Sequence, residues 1–118
     1  MIGGEIMPVV VSNTYQQCIE ACMKCLTACE QCLTACVQEP DAHKRTQCIQ
    51  TLRDCIDICV ISTQYMARNS QYAKQICSIC ATICTDCATH CEMFKDEHCQ
   101  ECAKICRECA EQCRMMAS

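Results

Sequence analysis

Cysteine recurs along this chain in alternating steps of three and four residues. Cys22, Cys25, Cys29, Cys32 and Cys36 follow C-x2-C-x3-C-x2-C-x3-C, and the same spacing returns at Cys77, Cys80, Cys84, Cys87 and Cys91 and at Cys99, Cys102, Cys106, Cys109 and Cys113. Such steps are the period of one helix face: at about 100° per residue, Cys18 and the five cysteines after it fall within an arc of roughly 80°. A further segment is poorer in thiols, yet Cys48, Leu52, Cys55, Cys59, Ser62 and Met66 again line one face. The spacing therefore predicts four helices, each striped with sulfur. The last two stripes are repeats beyond their thiols, since 80–91 and 102–113 also agree at Ala81/Ala103, Ile83/Ile105 and Ala88/Ala110.

A length of 118 residues sets one domain, with 1–13 read as an N-terminal extension and 14–118 as the folded unit. Its 19 Cys in 118 residues, about 16%, far exceed the roughly 8–10% that already marks an unusual cysteine framework. Thiols must supply much of any core, as small hydrophobes while protonated. With no Trp, one Phe, two Gly and two Pro, a strand-rich or loop-rich fold is not expected. Ten basic against 14 acidic residues give a net charge of −4 and no basic stripe, which argues against nucleic acid as a partner. The start of the chain, MIGGEIMPVVV, has no Lys or Arg, carries Glu5 and lacks an A-x-A site, so it does not read as a signal peptide. No run of eighteen apolar residues suggests a membrane span, and a cytoplasmic location is the expectation. In a reducing compartment, dense thiols point to metal binding or catalysis before disulfides.

Caps and breakers set the helix limits at about 14–38, 41–68, 72–93 and 96–116. Ser12, Asn13 and Thr14 precede the first helix, Pro40-Asp41 the second, Asn69-Ser70 the third, and Lys95-Asp96-Glu97 the fourth. Short connections between long helices favour an all-α, up-down-up-down antiparallel four-helix bundle with its cysteine stripes turned inward. Glu20, Lys24, Arg53, Asp86, Arg107 and Glu108 then face outward. Beside the first stripe, Ile19, Leu26 and Leu33 lie on one flank and Ala21, Ala28 and Ala35 on the other. Ile49, Ile56, Val60 and Ile61 form an apolar flank on helix 2, suited either to a subunit interface or to sealing a seam within one bundle.

Deprotonated, such a stripe is a ladder of ligands. Soft thiolates select Cu(I), Zn or Fe–S clusters. A Zn²⁺ held by four thiolates leaves two negative charges, and several such deficits in one apolar core would be costly. Cu(I) at one ion per thiolate is neutral, accepts two or three sulfurs, and lets bridging thiolates serve two ions. Other readings stand beside this one: a thiol-rich zinc store, an Fe–S protein, and a thiol redox or disulfide protein. Six C-x-x-C pairs without a βαβ pattern, and an odd number of cysteines, weigh against the redox and disulfide readings. No catalytic constellation is expected.

CIEACMKCLTACEQCLTAC at 18–36, CIQTLRDCIDIC at 48–59, and ICSICATICTDCATHC followed by HCQECAKICRECAEQCRMMA resemble the bacterial copper storage proteins, and among them the branch without an export signal. The resemblance spans roughly residues 14–117. It implies a homotetramer of bundles, each storing many Cu(I) ions on Cys18, Cys22, Cys25, Cys29, Cys32, Cys36, Cys48, Cys55, Cys59, Cys77, Cys80, Cys84, Cys87, Cys91, Cys99, Cys102, Cys106, Cys109 and Cys113. Metal is then expected to come from a copper chaperone or a small thiol and to pass in at the end bearing His98 and His43. His98 directly precedes Cys99 at the edge of its arc, whereas His43 lies off the inward face of helix 2. His90 points away from its stripe and is expected at the surface. Met66 and Met116 fit the stripes as core plugs at the far end.

Overall fold

In a computed structural model, which describes residues 14–118, four helices are arranged as a ring: α1 (Gln16–Cys36), α2 (Thr46–Ala67), α3 (Ala73–Cys91) and α4 (Glu97–Ala117). Each packs on its two neighbours, α1 on α2, α2 on α3, α3 on α4 and α4 on α1, which is the antiparallel up-down-up-down bundle that short connections favour. The readings made for 1–13, the N-terminal extension with the caps Ser12 and Asn13, lie outside the described residues.

The helices end for local reasons. Asn69, at φ 53°, takes the left-handed conformation that closes α2. The Ser70 and Asn69 amides then donate back to the Tyr65 and Met66 carbonyls, at 2.9 and 3.0 Å, the paired bonds of a Schellman motif. Ser70 Oγ accepts from the Tyr72 amide at 3.0 Å and so turns the chain into α3. One boundary differs from its sequence reading. Helix 2 starts at Thr46 and not near 41, because Ala42–Lys44 is a 3-10 turn. There the Lys44 and Arg45 amides bond three residues back, to Asp41 and Ala42, and the Asp41 carboxylate is drawn to Arg45.

The stripes face inward as expected, and all 19 cysteines are free and at most 2% exposed. Leu52, Met66 and Ser62 fill the places on the α2 stripe where sulfur is missing, each fully buried. Ile19 and Ile56 are buried and Leu26, Leu33 and Ile49 half-buried against the core, so the flank of large side chains largely seals bundle seams. Val60 and Ile61, by contrast, stay exposed on α2. The six charged residues named above are exposed, and a two-pronged bond from Arg107 to Glu92, 2.7 and 2.6 Å, ties α4 to the end of α3. Among the described residues, no helix is long and apolar enough to cross a membrane.

Candidate metal centre

A thiol is short, so a stripe of them brings four backbones close enough for facing sulfurs to touch. Cys18 lies 3.6 Å from Cys113, Cys29 3.6 Å from Cys106, Cys55 3.7 Å from Cys84 and Cys48 3.7 Å from Cys91. Within one helix, Cys25 and Cys29 are 3.9 Å apart, and Cys80 and Cys84 3.8 Å. Spacing of four residues and contact across helices therefore run into one continuous array. Cys22, Cys59, Cys80 and Cys109, one from each helix, have sulfurs all within 4.8 Å of one another. So do Cys25, Cys55, Cys59 and Cys84, and Cys25, Cys29, Cys55 and Cys106, with Cys25 and Cys55 common to both. Shared corners of this kind suit ions bridged by sulfur rather than isolated four-ligand sites.

One end of the row carries nitrogen as well. Cys32, Cys36, His98 and Cys99 form a fourth group. His98 Nδ1 lies 3.6 Å from the Cys32 sulfur and 3.5 Å from that of Cys99, while Nε2 meets Glu39 Oε2 at 3.1 Å. A carboxylate only accepts, so Nε2–H donates to Glu39, and in the neutral ring the Nδ1 lone pair faces the sulfurs. With its side chain 28% exposed, His98 joins solvent to the thiol row. His43 sits exposed on the 3-10 turn, and His90 is half-buried at the end of α3. Met66 is fully buried and Met116 half-buried, in the last turns of α2 and α4.

Sequence reasoning missed Arg45. Its side chain is buried across this end, with Nη1 3.7 Å from Cys36 Sγ and 3.5 Å from Cys99 Sγ. Asp96 Oδ2 at 2.6 Å, Asp41 Oδ1 at 2.7 Å and the Phe94 ring, 4.5 Å below the guanidinium, hold it there. Burial opposes the charge, but the hydrogen bonds Arg45 donates to Asp96 and Asp41 outweigh it and raise the Arg45 pKa, while Arg45 lowers that of each carboxyl. Asp96 stands at the N-cap position of α4 yet spends its carboxylate on Arg45. Burial, followed by hydrogen bonding and charge from Cys36, pushes the Cys99 thiol up to about 12.

A ring of four helices closed around touching thiols defines a sulfur-cored helical bundle, built to hold soft metal ions. The chain belongs to the copper storage protein family, whose sequence profile matches residues 11–118. It is similar to the uncharacterized cysteine-rich protein YhjQ of Bacillus subtilis, 46% identical over 70% of this chain and 77% of that protein. Among solved structures it is similar to apo copper storage protein 3 from Bacillus subtilis, with 46% identity, TM-score 0.83, and 87% and 98% of the two chains covered. The cytosolic copper storage protein from Streptomyces lividans, solved during copper loading with five coppers, shows 34% identity, TM-score 0.84, and coverage of 87% and 91%.

Proposed function

We propose that this protein stores Cu(I) in the cytoplasm, many ions per chain, on the thiolates of its core, with metal passing in at the His98 end. The observation that carries this reading is the shared sulfur geometry: groups of four thiols that overlap at Cys25 and Cys55. Zn²⁺ would need closed four-thiolate sites and leave uncompensated charge in a core with 0% exposure at those sulfurs. Cu(I) exchanged for one proton per thiol leaves that core neutral. The step is ligand exchange: a copper–sulfur bond to the donor breaks as one to a core cysteine forms, and the displaced proton leaves with the donor or solvent. No electron moves and no turnover is needed. Similarity to Cu(I)-bound and cytosolic copper storage proteins supports the reading.

His98, backed by Glu39, is the outermost nitrogen of the row. His43, exposed on the adjoining turn, is the second candidate to meet arriving metal. The donor is a copper chaperone or a small thiol. Bundles assemble as a homotetramer, for which the exposed Val60 and Ile61 on α2 offer apolar surface. Light scattering on the purified protein tests that assembly.

Anaerobic titration with a Cu(I)–chelator complex tests storage. The expected result is on the order of ten or more ions per chain, rising with the count of free thiols, since ions of low coordination share bridging sulfurs. Binding of only a few ions, or displacement of Cu(I) by Zn²⁺, overturns the reading.

A further inference from the structure

At the His98 end the axis of the bundle is closed. Arg45, 4% exposed, lies over Cys36 and Cys99, both at 0%, and Asp41, Asp96 and the Phe94 ring fix it in place. A metal ion arriving along the axis must displace the guanidinium from Asp41, Asp96 and the Phe94 ring to reach either sulfur.

The wall between α1 and α4 is thinner. There α1 presents Ala21 and Ala28 to Ile105, and small side chains leave gaps in the seam. At Ala28 the gap is a cleft of about 120 Å³, whose lining includes Gln31, Cys32, His98, Glu101 and Cys102 and has a carboxylate but no Lys or Arg. Of the 19 thiols only Cys32, Cys48 and Cys102 retain any exposure, at 1–2%, and two of these share this cleft with His98. From its floor the row runs inward: Cys102 is 3.9 Å from Cys29 and 4.0 Å from Cys106, and Cys32 is 3.9 Å from Cys99. The second gap in this seam, at Ala21, differs. Beneath it Cys109 is at 0% exposure, the Lys24–Glu108 ion pair stands at its rim, and no histidine lines it.

We infer that Cu(I) crosses the bundle wall sideways, through the α1–α4 cleft, passing from His98 to Cys32 and Cys102, and that Arg45 is the stopper that keeps the axial way shut. The inference rests on the storage reading and specifies its port. Each transfer is a ligand exchange: the copper–sulfur bond to a donor thiolate breaks as a bond to His98 Nδ1 forms, that copper–nitrogen bond breaks as one to Cys32 Sγ forms, and the Cys32 proton leaves to the freed donor thiolate.

The first test needs no copper. Brief treatment of the folded apo chain with a small maleimide, then denaturation and heavy-isotope labelling of the remaining thiols, ranks each cysteine by mass spectrometry. Cys32 and Cys102 are expected to react first, several-fold ahead of Cys36 and Cys99; the reverse order, or equal rates, overturns the port. In stopped-flow uptake from a Cu(I)–glutathione complex, Ala28→Leu, which fills the cleft, should slow loading about tenfold at unchanged capacity, because it narrows a gate and removes no ligand. Adding Arg45→Ala should restore the rate by opening the axis. If Ala28→Leu loads as fast as the natural chain while Arg45→Ala alone loads faster, the axial route is the true one. A natural chain that takes up only a few ions sinks the storage reading itself, and its rates then need no port.

Discussion

Glu39 decides which nitrogen of His98 faces the sulfurs, from 3.1 Å away and without touching a thiol itself. Outer partners of this kind fix the tautomer and orientation of a metal-binding imidazole, and losing one typically costs about 10–100-fold in metal affinity. Glu39→Gln, which can offer the ring an N–H in place of a second acceptor, is therefore expected to weaken the Cys32/Cys36/His98/Cys99 site by about that factor. Total capacity should stay unchanged; competition against a graded series of Cu(I) chelators reads both. Neither Glu39 nor Arg45 was legible in the sequence. Apart from Asp41, four residues before Arg45, their partners come from positions 94, 96 and 98, and no helical period links a turn residue to the start of a distant helix. His98 was legible because it rides on the edge of a stripe. For His43 the helical period failed as a guide, since the residue sits on a 3-10 turn and on no face of α2.

At the scale of the element, α2 is the helix that departs from the pattern, and its departures are physical. Of six inward positions it gives three to Leu52, Ser62 and Met66, so the row of sulfur is incomplete along one wall. Among the described residues the buried Ser62 hydroxyl has no hydrogen-bond partner. Leaving such a group unpaired costs on the order of 1 kcal/mol or more, so Ser62→Ala should raise the melting temperature of the apo protein by a few degrees in thermal circular dichroism. Leu52, the largest side chain with no exposure at all, behaves oppositely: Leu52→Ala opens a cavity and should cost about 2–5 kcal/mol by denaturant unfolding. Helix positions and inward faces could be read from spacing alone, because the period of the thiols is the period of the helix. The 3-10 turn could not, since it depends on Arg45 pulling Asp41 toward it across one turn of backbone.

For the whole molecule, pH acts on the core through its thiols. The Cys99 thiol rises from its ordinary 9.0 to about 12, so the folded state holds that proton more tightly than the unfolded chain does. Its contribution to stability is complete below pH 9 and is lost as pH climbs from there toward 12. Melting temperatures of the apo protein should accordingly fall across that alkaline window. The copper-loaded protein, whose thiols have given up their protons, should lack this fall and melt higher at every pH by mass action. In the opposite direction, each proton displaced by copper should weaken apparent affinity by about tenfold per unit of acidification, and a pH-independent affinity would rule out thiolate ligation.

The ring of helices, stoppered by Arg45 above and with Met66 buried in the last turn of α2 below, turns the interior into a single-file queue with a side door near one end. Ions that reach the far sulfurs around Cys18 and Cys113 have passed the berths that lie between there and the door, and must pass them again to leave. Filled first with one copper isotope and then topped up with another, the protein should release the late arrivals ahead of the early ones, so that its contents keep a record of the order in which they came.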